Sequence, residues 1–145
     1  MLTKKPSVLF KKHTSDVELE LIIKRVAEAL GRDIVVHSGD RDHRPKGSPA
    51  HSLHLFHRAL DFHVTGMSDG DVFHALMLYK GQIFSSVIHS YQVIHHGRFT
   101  ATEGEHVHIG HYHHIHGFMK GPGVTFMEEG IAPGTKGKYH VVANG

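Results

Sequence analysis

The sequence predicts an α+β domain, a mainly antiparallel sheet with helices packed on one face. Three observations lead there. A capped amphipathic stretch opens the chain, short β-branched runs recur along it, and the elements follow in the order helix, strand, strand, helix, strands.

Residues 1–14 read as a short basic arm. Ser15-Asp16-Val17-Glu18 then has capping-box spacing, with Ser15 as N-cap and Glu18 reaching back. Apolar residues at 17, 19, 21, 22, 23, 26, 29 and 30 form a broad helical stripe, and Gly31 is a stop signal. The expected helix runs from Asp16 to Leu30. Asp33-Ile34-Val35-Val36-His37 is short and β-branched, a strand. Ser38 to Ala50 carries Gly39, Pro45, Gly47 and Pro49 and must be a loop. His57 to Val64 reads as a strand with Ala59, Asp61 and His63 on one face and Arg58, Leu60 and Phe62 on the other. Ser68-Asp69 caps a second helix, Gly70 to Lys80, closed by Gly81. Gln82 to Ile94 is rich in strand formers and holds one or two strands. Glu105 to Tyr112 is another strand, with His106 and His108 on the same face because side chains alternate. From His113 onward Gly and Pro dominate. An irregular extension over residues 113–145 is expected, packed on the domain, with a closing strand at Lys138–Val142.

A length of 145 residues suits one domain, since two independent cores would be cramped. The formal net charge of +2 provides no strongly basic field to neutralise phosphates, which argues against nucleic acid as partner. Cysteine is absent, which removes disulfides, Cys-zinc sites, iron–sulfur clusters and thiol nucleophiles. No run approaches the roughly 18 apolar residues of a membrane span. Val8-Leu9-Phe10 is too short for a signal-peptide core. Synthesis in the cytoplasm is therefore expected, with any export assisted from outside.

The 18 histidines exceed what an ordinary core or surface needs. Most are expected to be solvated. His13, His74, His89 and His140 stand outside any constellation, and the run from His111 to His116 reads as a surface feature that binds metal loosely. Two stretches rise above this background, Ser52 to Asp61 and Glu105-His106-Val107-His108. A catalytic zinc takes three ligands from His and carboxylate and keeps one position open. His54, Asp61 and His108 would supply them. Asp61 lies between Leu60 and Phe62, where a carboxylate is costly unless paired or bound to metal.

The two stretches resemble the motifs of the M15-type zinc peptidases, Ser-x-His-x-x-Gly-x-Ala-x-Asp followed by Glu-x-x-His or His-x-His. That family comprises D-alanyl-D-alanine carboxypeptidases, D-Ala-D-Ala dipeptidases and phage endolysin peptidases, and it shares a fold with the zinc domain of hedgehog signalling proteins. Ser52, His54, Ala59 and Asp61 match the first motif, and Glu105, His106 and His108 match the second. Ser38-Gly39-Asp40-Arg41 is similar to the family's Ser-Gly-x-Arg. The resemblance spans residues 15–112. It departs at His57, where the motif has glycine, and at Val107, where an aromatic often precedes the last ligand.

The resemblance implies one zinc ion per chain and hydrolysis of peptide bonds in the peptide stems of peptidoglycan. It implies Glu105 as general base, with His106 stabilising the oxyanion or serving as base itself. Arg41 and Ser52 would face substrate. Glu105 reaches the zinc only if it sits on a bent entry to its strand after Gly104. The ordinary alternatives are a loop salt bridge from Arg41 to Asp40 or Asp42 and a solvated strand-end charge at Glu105. Action on the cell wall would follow phage lysis or secretion. Two other functions fit the residues: a hedgehog-like zinc module without turnover, and a histidine-rich metal buffer that binds several ions weakly.

Overall fold

A computed structural model describes residues 5–12, 14, 16–38, 59–84, 89–102, 104–113 and 123–144. In chain order these form β1 (Val8–Phe10), α1 (Val17–Leu30), β2 (Ile34–Ser38), β3 (Ala59–Val64), α2 (Asp69–Leu78), α3 (Lys80–Ile83), β4 (His89–His96), β5 (His106–His113), β6 (Gly123–Glu129) and β7 (Tyr139–Asn144). No helix among the described residues is long and apolar enough to cross a membrane.

The first helix begins one residue later than its capping box suggests. Asp16 is the N-cap, its carboxylate accepting the Leu19 N–H at 3.0 Å. Ser15, the expected cap, lies outside the described residues. Glu18 accepts the hydroxyl of Tyr91, a buried phenol that needs a partner. The centre of the apolar stripe is buried, with Leu19, Ile22, Ile23 and Val26 joined by Ala27, while Val17 and Leu21, which the spacing placed in the stripe, are exposed. Gly31 ends the helix at φ 63°, a conformation that glycine adopts without a Cβ penalty. Ser68 caps α2 as expected, accepting the Asp71 N–H at 3.2 Å. That helix ends at Leu78, and Gly81 lies inside the short turn α3 instead of closing α2.

The strands form one seven-stranded sheet in the order β1-β2-β3-β5-β4-β6-β7. It is mixed. Pairs β1–β2 and β4–β6 are parallel and the other four are antiparallel. The second parallel pair comes from residues expected to be irregular. Within the Gly/Pro-rich tail, Gly123 to Glu129 alternates closely enough to bury Val124 and Phe126 and pairs along most of β4.

Alternation gives the sheet two unlike faces. Leu60, Phe62, Val64, Tyr91, Val93, Val107, Ile109, Val124 and Phe126 form the core with the buried sides of α1 and α2. The intervening residues of the three central strands point the other way. Among them are Asp61 and His63 on β3, Gln92 and His96 on β4, and His106 and His108 on β5.

Candidate metal and acid–base site

Strand pairing assembles the polar face. Asp61 stands opposite His108 across β3 and β5, and His106 stands opposite His96 across β5 and β4. Residues 47 positions apart thereby meet: His108 Nδ1 lies 3.1 Å from Asp61 Oδ1. His106 Nε2 lies 3.4 Å from the same oxygen. Asp61 is 7% exposed and His108 6%, so the pair sits where solvent screens an ionised group little.

The far nitrogen of His108 decides what the near one can do. His108 Nε2 lies 2.8 Å from Gln92 Oε1; with the amide oxygen turned to the ring in this way, the matching tautomer carries its proton on Nε2. A neutral His108 then turns a bare lone pair toward the Asp61 carboxylate. Two acceptors at that separation are held together by a cation between them, either a second ring proton or a metal ion. This donor set fits zinc, because a ligating histidine normally donates its other N–H to an acceptor that fixes the tautomer.

His106 is fixed in the opposite sense. Its Nδ1–H donates to the Gly104 carbonyl at 2.7 Å, which leaves Nε2 facing Asp61. Burial pushes its pKa down, but the hydrogen bond and charge of Asp61 outweigh burial, and the imidazole is held above its ordinary value.

A second layer lies behind His106. The His96 ring stacks on it with centroids 4.6 Å apart and planes at 30°. His96 Nδ1 is 2.7 Å from Glu129 Oε1. Glu129 is only 1% exposed, yet it stays ionised. Burial pushes its carboxyl up; hydrogen bonds from His96, the Thr100 hydroxyl and the Gly137 and Ala101 N–H groups outweigh that and hold it at about 2. Burial also lowers the pKa of His96, with the charge of His106 adding to the effect. At the rim, His37 meets the edge of His63 at 4.6 Å, and His63 Nδ1 lies 2.8 Å from Asp69 Oδ1.

Of the residues singled out from the sequence, Asp61, His106 and His108 come together. Glu105 does not join them: the chain does bend at Gly104, φ 127°, before the strand starts, but the bend does not turn Glu105 toward Asp61 and His108. Its carboxylate lies 3.1 Å from Nε2 of His95, whose ring packs near Phe73 of α2 on the opposite face of the sheet. Strand alternation prevails: Glu105 points the way of Val107. Arg41, Ser52 and His54 lie outside the described residues, as does His57. Among the described residues alone, no group of three or more His, Asp or Glu side chains is arranged to hold a metal ion. Gln92, His96 and Glu129 were not singled out from the sequence. A signal for two of them exists in the doublets His95-His96 and Glu128-Glu129, since neighbours on a strand must face opposite sides. His111, expected at the surface, is 4% exposed and bonds Asp16.

The chain matches no protein-family model, no curated protein and no solved structure.

Proposed function

We propose that the chain is a zinc-dependent peptidase acting on the peptide stems of peptidoglycan, on the cell wall after phage lysis or secretion. The substrate class rests on the motif resemblance. The metal chemistry is supported by one observation: Asp61 and His108 lie side by side, with Gln92 taking the far ring proton of His108. Asp61, His108 through Nδ1, and His54 would hold one zinc ion. Zinc supplies Lewis acidity toward water and the scissile carbonyl.

The chain's own residues do the rest. With Nδ1–H committed to Gly104, His106 turns Nε2 toward Asp61 and the metal site, where it would take a proton from the attacking water and return it to the leaving amine. That geometry favours His106 over Glu105 as the base. Arg41 would grip a substrate carboxylate bidentately, and Ser52 would line the same side.

Elemental analysis paired with mass spectrometry of digested cell wall tests this reading. The parent should hold about one zinc per chain and release stem-peptide fragments. His108→Ala and His54→Ala should lose both. His106→Gln should keep the metal while turnover falls by about 10²–10⁴. Glu105→Gln should keep both. One zinc without cleavage would move the chain to the hedgehog-like module, and several weakly held ions would move it to the metal buffer.

A further inference from the structure

The catalytic assignment of His106 leaves its neighbour unexplained. His96 is buried, lies across the strand pair from His106 and stacks on its ring at 4.6 Å. A surface histidine would not be anchored as this one is. Its Nδ1–H donates to Glu129, whose carboxylate also receives the Thr100 hydroxyl and the N–H groups of Ala101 and Gly137. Those donors come from two loops, 97–102 and 130–138, which close over the ends of β4 and β6. They meet so tightly that a Cβ at Gly130 would stand 2.5 Å from the Thr100 backbone. Glu129 is therefore a fixed point and the His96 ring is fixed to it. His106 has two contacts of its own, Nδ1–H to the Gly104 carbonyl and Nε2 3.4 Å from Asp61 Oδ1; both lie at the ring edge and neither covers its face.

We propose that His96, locked by Glu129, is the positioning residue for His106. The stack covers the face of the His106 ring and limits the tilt that the two edge contacts leave open, which keeps Nε2 beside Asp61. This rests on the peptidase reading only for its effect on turnover; the ring geometry itself is tested without substrate.

The experiment has two arms on the full chain. The first records long-range ¹H–¹⁵N correlations of the histidine rings in ¹⁵N-labelled, metal-free protein at neutral pH. His106 in the parent should be in the Nδ1–H tautomer, and His96→Ala should lose that single tautomer. The second arm measures kcat and KM on stem peptides. His96→Ala should lower kcat by about 10–100-fold with KM and zinc content unchanged, the usual effect of a misplaced reacting group. His96→Phe, which restores an aromatic plane but not the Glu129 anchor, should recover only part of the loss in both arms. If His96→Ala does not fold, Glu129→Leu reads the same quantities, because it removes the acceptor that fixes the ring without removing the ring. A parent His106 with its proton on Nε2, or a His96→Ala protein with the parent's tautomer and kcat, overturns the proposal. A parent that cleaves nothing rejects the peptidase reading, and the tautomer arm still decides on His96.

Discussion

Gln92 accepts a hydrogen bond from His108 Nε2, and that one contact leaves Nδ1 as the nitrogen facing Asp61. Gln92→Leu fills the same space and removes the acceptor. Zinc affinity measured by calorimetric titration should fall about 10–100-fold, the usual worth of an outer-shell partner. Unchanged affinity would mean that His108 does not bind metal through Nδ1. Glu129 gives a second residue-scale prediction. Its carboxyl stands at about 2 in the folded chain against 4.5 for an unperturbed glutamate. A depressed acid stabilises the fold above its unfolded value and loses that contribution as pH falls through the folded one. Parent stability should therefore drop by on the order of 3 kcal/mol between pH 4.5 and about 2. Urea titrations across that window should show the drop, and Glu129→Gln, less stable at neutral pH, should lack it. His96 acts at higher pH with the same sign. Its folded value lies below 6.5, so unfolding takes up a proton and acid destabilises the chain.

At the scale of the element, α1 shows what local signals reveal. Spacing placed the helix to within one residue and the centre of its buried stripe, because both depend on neighbours in sequence, although Val17 and Leu21 at the stripe's edge are exposed. Spacing did not show that Asp16 does two jobs. It caps α1 and also bonds His111 of β5, 95 residues away. Asp16→Ala removes a cap, about 0.5–2 kcal/mol, and takes a partner from a buried ring, about 1–3 kcal/mol more. Asp16→Asn keeps a capping oxygen and should cost less. Chemical denaturation of the three proteins should rank them parent, Asn, Ala; equal Asn and Ala values would assign the whole effect to His111. The strands follow the same division. Alternation correctly set His106 with His108 and Asp61 with His63, since each pairing depends only on its own strand; that the two sets share a face follows from the pairing of β3 with β5. The pairing of β4 with both β5 and β6, which brings Gln92, His96 and Glu129 into the site, is non-local and left no comparable trace.

For the whole molecule, the largest departure from expectation is the C-terminal segment. Its Gly and Pro content suggests an extension laid on a finished domain, but β6 runs beside β4 for seven register pairs and β7 closes that edge. Phe126 is fully buried and meets Phe73 and Phe84, so the core is incomplete without it. Removing a buried phenylalanine alone costs about 3–5 kcal/mol, a large part of the about 5–15 kcal/mol that holds a domain together. A chain ending at residue 122 would lose Val124 as well, leave the outer edge of β4 unpaired and strip His96 of Glu129. Bare strand edges recruit other chains. The truncated protein should therefore give no cooperative thermal transition by near-ultraviolet circular dichroism and should aggregate on gel filtration. A separable extension makes the opposite prediction: a monomer melting near the parent temperature, with the Asp61–His108 pair still competent for zinc. The two outcomes differ in mechanism as well as stability. If residues 123–144 complete the core, the His96–Glu129 anchor and the fold are lost together. If they do not, the truncated chain should keep its metal and lose only the positioning of His106.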